Sequence, residues 1–229
     1  MPGASPLIAD GRPCYRGAMH PISSDRPLVI IGAGGHGRVV LDAAIASGMA
    51  VRGFVADPPP PFTNDADYLG GLSLLSGDFL ADHDFIVAIG DQKVRRETCE
   101  QIRNDGGRLA IVIHPRAWIS PSATIGGGTA IMGGVIVNAN ASVGDFCILN
   151  TGCSVDHDSV LEDGVQLCPG VRLAGRVHCG ADAFVGTGAS IIPDIRVGAA
   201  AVVGAGAVVV RHVQAGARVR GNPAREQAR

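Results

Sequence analysis

Residues 144–173 read GDFCIL-NTGCSV-DHDSVL-EDGVQL-CPGVRL, five consecutive hexads that each close on an aliphatic side chain. Stepping by six in both directions extends the series to Ile119, Ile125, Ile131, Val137, Val143, Leu149, Val155, Leu161, Leu167, Leu173, Cys179, Val185, Ile191, Val197, Val203 and Val209. Fifteen of the sixteen are Val, Ile or Leu, where chance at about a quarter of the chain would supply about four. Two residues before each aliphatic stands a small or β-branched residue, such as Ala141, Cys147, Cys153 and Ser159. Side chains two apart on a strand face the same way, so each hexad sends a small and a large residue inward. One hexad is then a short strand plus a corner, and three make a triangular coil of about 18 residues. The stretch 119–209 predicts about five such coils, with no hexad interrupted by a long loop. Glycine often follows the aliphatic (Gly126, Gly144, Gly180, Gly186, Gly198, Gly204), which we read as a bend where a Cβ is unwelcome. Helical three-and-four spacing is missing from the segment.

Upstream the pattern changes. Leu28–Ile31 is a short apolar run, followed by Gly32-Ala33-Gly34-Gly35-His36-Gly37, a helical stretch from Arg38 to Ser47 and Gly48 as its stop. Val51–Ala56 predicts a second strand ending at Asp57, and Pro58 to Pro61 a loop. Phe85–Ile89 predicts a third strand, Gly90-Asp91 the opening of a helix through Asn104, and Leu109–Ile113 a fourth strand before His114-Pro115. Strand, glycine loop, helix and an acid at the end of the second strand form a nucleotide-binding arrangement. Glycines admit a phosphate close to the backbone, and the helix N-terminus stabilises its charge. The loop alone also fits a tight turn with no ligand. Four strands suit a single-nucleotide site better than a full dinucleotide fold. The expected organisation is a disordered leader (1–26), a Rossmann-like α/β domain (27–114), a parallel β-helix (115–212) and a C-terminal tail (213–229). Met19 is a second candidate start.

Composition narrows the function. The chain has 19 Lys and Arg against 21 Asp and Glu, a balance that favours neither nucleic acid nor an anionic membrane surface. No apolar run approaches the roughly 20 residues of a membrane span. Aromatic residues are 4% of the chain, so the core is built from aliphatic residues in thin layers. Cys14, Cys99, Cys147, Cys153, Cys168 and Cys179 contain no C-x-x-C pair, which reads as buried, reduced thiols in the cytoplasm.

Because Val155 points inward, His157 falls at a corner, flanked by Asp156 and Asp158. Imidazole is a competent proton acceptor near neutral pH, and a neighbouring carboxylate can orient it. A solvated corner histidine between surface acids fits the same residues. His36 lies in the glycine loop, His114 reads as a structural junction, and His178 points outward from the coil. His20, His83 and His212 have no predicted partners. A zinc site would need three converging histidines. Only His157 and His178 lie in the repeat, 21 residues apart and not a whole number of coils.

The two halves together resemble the bacterial nucleotide-sugar acetyltransferases of the sialic acid O-acetyltransferase family, whose members acetylate UDP-linked 4-amino-sugars and GDP-perosamine. The resemblance covers nearly all of 28–225. It is carried by the loop at 32–37, Ala88-Ile89-Gly90-Asp91, Ile113-His114-Pro115, Leu149-Asn150-Thr151-Gly152, Val155-Asp156-His157-Asp158, Leu173-Ala174-Gly175, Gly186-Thr187-Gly188 and Gly221-Asn222-Pro223-Ala224-Arg225. It implies a left-handed β-helix, a homotrimer with acetyl-CoA between adjacent helices, and N-acetylation in lipopolysaccharide or glycan biosynthesis. His157 would be the general base with Asp158 beside it, and the Gly175 N–H would face the oxyanion. Gly34, Gly35, His36, Asp57, Gly90, Asp91 and Asn150 would meet the nucleotide-sugar. Gly175, Thr187, Ala205, Asn222, Pro223 and Arg225 would meet coenzyme A, and no metal is implied. A sugar O-acetyltransferase and a non-catalytic nucleotide-sugar-binding trimer are the alternatives. One departure stands out: the histidine that some members place nine residues after the base is Gln166 here.

Overall fold

A computed structural model describes residues 15–16, 25–59 and 67–227. Its N-terminal part is a five-stranded parallel sheet with helices on both faces. In chain order come β1 (Leu28–Ile31), α1 (Gly35–Ala46), β2 (Val51–Val55), β3 (Tyr68–Gly70), a 3-10 turn (Leu72–Leu74), α2 (Gly77–Asp82), β4 (Asp84–Val87), α3 (Gln92–Asn104) and β5 (Arg108–Leu109). The order across the sheet is β3-β2-β1-β4-β5, so the order in which strands are laid down switches sides between β1 and β4, with all five strands parallel. Leu28 and Ile30 face α1, while Val29 and Ile31 face α3, as the two-residue period of a strand requires. All four are buried.

Three differences from the sequence reading concern this domain. The sheet has a fifth strand, β3, too short to show a period. Residues 109–113, expected as one strand, divide: Leu109 ends β5, whereas Val112–Ile113 opens the β-helix. Helix α1 begins at Gly35 rather than Arg38, which puts His36 in its first turn.

The rest is a parallel β-helix. Two-residue strands recur every six residues from Trp118–Ile119 to Val208–Val209 and pair with the strand 18 residues on, as in Ser154↔Arg172 and Val155↔Leu173. Three parallel ladders result. The first carries Ile148–Leu149 and Gln166–Leu167, the second Ser154–Val155 and Arg172–Leu173, and the third Val160–Leu161 and His178–Cys179. We call the prism edges the first, second and third vertex, each following the ladder of that number. Val155, Leu167 and Val185 are wholly buried, as are Cys153, Val165 and Ala183 two residues before them. Each inward aliphatic contributes about 1.5–3 kcal/mol on burial. Cys99, Cys147, Cys153, Cys168 and Cys179 are free thiols and buried. Burial pushes Cys99, Cys147, Cys153 and Cys179 up to about 12, so they stay protonated and unreactive.

Where glycine follows the aliphatic, it is needed for a different reason than a bend. Gly144 and Gly186 keep φ out of the left-handed region, and a Cβ there would strike the next coil at Asp163 or at Ala205. The left-handed residue stands two positions later, as at Gly152, Asp158, Gly170 and Arg176. The helix also extends beyond 119–209. It starts at Val112–Ile113, and its final coil is two residues short, pairing Val202 with Arg218. That shortening ends the six-residue count at Val209. Most of the expected leader lies outside the described residues, but Tyr15–Arg16 forms a strand antiparallel to Thr124–Ile125, which corrects that stretch.

Helix α3 splints the two parts along the third vertex. Arg103 bonds Asp145 at 2.8 Å, and Arg96 grips Asp182 through two bonds of 2.9 Å. Seven residues of α-helix rise about 10.5 Å. The 37 residues between the two aspartates span two coils, about 9.6 Å. The helix therefore runs parallel to the prism axis. Among the described residues no helix is long and apolar enough to cross a membrane.

Candidate active site

His157 stands at the second vertex, where the turn after Ser154–Val155 leaves its side chain 46% exposed. Its Nδ1 lies 2.8 Å from Asp158 Oδ2. With Nδ1 protonated, Nε2 carries the free lone pair. Asp158 occupies a left-handed conformation (φ 57°), which Asp tolerates better than most residues. Asn140, one coil earlier, donates through Nδ2 to Asp158 Oδ1 at 3.2 Å. Asp156 Oδ1 accepts from the His157 N–H at 2.8 Å and from Asn138 Nδ2 at 2.9 Å. These hydrogen bonds hold both carboxylates below their usual range: the His157 N–H and then Asn138 for Asp156, the His157 ring and then Asn140 for Asp158. The pair is ordered by the preceding coil.

Gly175 lies 18 residues after His157, one coil on at the same vertex. A Cβ built on it would meet His157 Nε2 at 2.5 Å and Cε1 at 2.6 Å. Only glycine leaves room for the ring here. The Gly175 N–H makes no hydrogen bond to another described residue. Base and backbone donor thus stand together, and their 18-residue spacing is the signal for it.

The residues expected to meet a nucleotide lie at the switch point between β1 and β4, where open α/β sheets bind ligands. Gly32 and Gly37 are packed, with no room for a side chain. Gly34, Gly35 and Gly90 border open space, so the chain's own packing does not require glycine there, whereas close approach of a ligand would. The N-cap of α1 is Gly34, without a side-chain cap, which leaves the first-turn N–H groups available to an anion. His36 Nε2 is buried without a hydrogen-bond partner among the described residues. Burial, with the Arg95 charge adding, lowers this imidazole to about 4. Asp57 sits at the end of β2, but its Oδ2 accepts from the Leu72 N–H at 2.7 Å. Asp91 is the N-cap of α3 and accepts from the Val94 N–H at 3.0 Å. Each of these carboxylates already serves a turn.

The remaining candidates gather elsewhere. Thr187 and Ala205 lie one above the other at the first vertex, joined by Gly206 N–H to Thr187 O at 2.8 Å. Asn222 and Pro223 continue that column, and Arg225 opens the strand that returns onto Arg218–Arg220. Asn150 belongs to the same vertex, its Oδ1 accepting from the Thr151 N–H at 2.8 Å. Gly152, Gly188 and Gly206 border open space along this edge. Within one chain, then, the groups expected around coenzyme A stand on a different prism edge from His157 and Asp158; Gly175 is with the histidine. Gln166 turns to the domain interface, where its Oε1 accepts from Arg95 at 3.2 Å. His114 Nδ1 accepts from the Arg116 N–H, and its ring lies against Gly133. His178 points outward and pairs with Glu162 at 2.7 Å.

Residues 27–102 match the PglD N-terminal domain family. Over 107 residues the chain is 32% identical to the GDP-perosamine N-acetyltransferase of Escherichia coli O157:H7, covering 47% of this chain and 48% of that protein. Over 113 residues it is 37% identical to the UDP-N-acetylbacillosamine N-acetyltransferase of Bacillus subtilis (strain 168), covering 46% and 50%. The chain thus spans about half the length of these two relatives. Among solved structures, a histidine-to-alanine mutant of the Caulobacter crescentus GDP-perosamine N-acetyltransferase, in complex with CoA and GDP-perosamine, superposes with a TM-score of 0.85 at 37% identity, over 90% of this chain and 99% of that one. The acetyltransferase domain of PglB from Neisseria gonorrhoeae FA1090, in complex with acetyl coenzyme A, gives 0.84 at 37% identity, over 89% and 100%.

Proposed function

Because the chain belongs to the hexapeptide-repeat nucleotide-sugar acetyltransferase family, with the GDP-perosamine and UDP-N-acetylbacillosamine N-acetyltransferases, we propose that it acetylates the amino group of a nucleotide-linked 4-amino-4,6-dideoxy sugar from acetyl-CoA. The observation that carries the reading is the pairing at one vertex of an oriented base with an open backbone donor: Asp158 fixes His157, and the ring abuts Gly175. In this mechanism the sugar amine attacks the thioester carbonyl directly. His157 Nε2 takes the amine proton while Asp158 stabilises the imidazolium. The Gly175 N–H faces the developing oxyanion, and coenzyme A departs as thiolate. A covalent acyl-enzyme through Cys153 is disfavoured by its burial and raised pKa.

The same reading makes the enzyme a homotrimer. One chain presents its base on the second vertex and its expected coenzyme A column on the first, and a second copy placing its first vertex against that base completes the site. The glycine-lined crevice would hold the nucleotide, and the reaction would take place in the cytoplasm. The test incubates the protein with acetyl-CoA and each of GDP-perosamine, a UDP-linked 4-amino-sugar and free sugars, and reads thiol release and product mass. Acetylation of a nucleotide-linked amine supports the proposal. Transfer only to a hydroxyl, or none while nucleotide binds, overturns it.

A further inference from the structure

Arg95 is 1% exposed, and no carboxylate lies within ion-pair distance of it among the described residues. Its charge is spread instead over five acceptors. Nε donates to Phe146 O at 3.0 Å and Nη2 to Gly164 O at 2.9 Å. Nη1 donates to Ile89 O at 2.9 Å, Gly90 O at 3.3 Å and Gln166 Oε1 at 3.2 Å. These acceptors belong to two structures. Ile89 and Gly90 form the loop after β4, one wall of the nucleotide crevice. Phe146 and Gly164 are third-vertex residues at the start and end of the coil that carries His157, and Gln166 opens the coil that carries Gly175. A single planar guanidinium therefore ties the crevice wall to the height, along the prism axis, of the catalytic pair.

Height matters because rotation about an axis parallel to the prisms leaves it unchanged. In a three-fold assembly of parallel prisms, the crevice loop of one copy meets the next copy's His157 only if both sit at the same level. One coil of slip would displace the loop by about 4.8 Å, and even about 1 Å of misplacement costs about 10²-fold in rate. Resting on the acetyltransferase reading above, we propose that Arg95, with Gln166 as its side-chain partner, is a positioning residue that sets the axial register between the nucleotide-sugar and the base. Gln166 then contributes through the domain interface, a use of that position independent of coenzyme A.

The experiment compares Arg95→Met, Arg95→Lys and Gln166→Met with the wild type, each assayed well below its own Tm. In Arg95→Met, KM for the nucleotide-sugar rises and kcat falls, each by about tenfold or more, while KM for acetyl-CoA is unchanged; loss of several charge-assisted hydrogen bonds supports that scale. Arg95→Lys falls between, and Gln166→Met moves about two- to fivefold in the same direction, because Arg95 loses one 3.2 Å acceptor and keeps four backbone carbonyls. Calorimetric Kd values for GDP and UDP read the crevice without turnover and weaken in the same order. Wild-type values of KM, kcat and Kd in a folded Arg95→Met protein overturn the proposal, as does an equal rise of both KM values. Should Arg95→Met fail to fold, unchanged Kd and KM in Gln166→Met overturn it. A wild type that binds nucleotide but acetylates no linked amine refutes the functional reading instead, and the order of Kd values still decides the role of Arg95.

Discussion

Replacing Gly175 by alanine tests the geometry of the vertex with one methyl group. Gly175 does not occupy a left-handed conformation, so the backbone accepts alanine without strain, and Gly→Ala at a compatible site stabilises by about 0.4–1 kcal/mol. The fold should therefore survive. The three nearest atoms to the new Cβ are all in the His157 ring, at 2.5, 2.6 and 3.1 Å. Ordinary contact is about 3.5 Å, so the ring must retreat by about 1 Å, and as an exposed side chain it can. In doing so it leaves its 2.8 Å bond to Asp158 and its alignment with the reacting amine. A displacement of that size costs about 10²-fold, or about 2.7 kcal/mol in the barrier. Steady-state thiol release from acetyl-CoA measures kcat, and thermal unfolding checks the fold. A double-mutant cycle isolates the cause, since in a His157→Ala background the added methyl should cost little more. A folded Gly175→Ala enzyme with kcat within twofold of wild type would falsify the reasoning, and a full additional loss in the His157→Ala background would show that the methyl acts without the ring.

His157→Ala by itself should lower kcat by about 10²–10⁴-fold with an unchanged Tm, because the side chain is half-exposed; near-normal turnover in steady-state assays would remove it from the mechanism. Asn140→Gly deletes the amide that orients Asp158 while keeping the left-handed corner (φ 58°), so kcat should fall about fivefold, in line with about 1 kcal/mol, and unfolding should barely move. His36, part-buried with its Nε2 enclosed, imposes a pH dependence on stability. Its folded pKa of about 4 lies below its ordinary 6.5, so between those values the unfolded chain binds more protons. Its contribution is complete above pH 6.5 and declines as pH falls toward 4, by on the order of 3 kcal/mol. Denaturant titrations across this window should show that slope flattened in His36→Gln; an equal slope in both proteins would place its origin elsewhere.

The repeat was legible because every coil obeys one local rule, and a six-residue period needs no knowledge of distant contacts. The crevice loop was legible for a similar reason: glycines between a strand and a helix carry their meaning in order. Strand Tyr68–Gly70 was not, since three residues cannot display a period and its place at the sheet edge is set by β2. The boundary inside 109–113 was hidden because Leu109 and Val112 are both apolar and differ only in the sheet they join. The positions of Asp57 and Asp91 in the sequence point to a ligand, yet each also accepts from the N–H of a helical turn, at Leu72 and Val94, a duty that short polar side chains take on where a helix begins. Arg95 is one of several charged residues between Gln92 and Asn104, with no local feature in the sequence that sets it apart. Its five acceptors come from Ile89 to Gln166, and only folding assembles them.

A stack of identical triangles has no inherent length, and each bare end offers unpaired backbone to which another molecule could add. Here the growth direction is reversed on one ladder at each end. Tyr15–Arg16 runs antiparallel beneath Thr124–Ile125, and Arg225–Glu226 turns back over Arg218–Arg220 after a coil cut short by two residues. Each of those two ladders therefore ends on an antiparallel strand and not on the parallel edge that a following coil would continue, which works against end-to-end fibres.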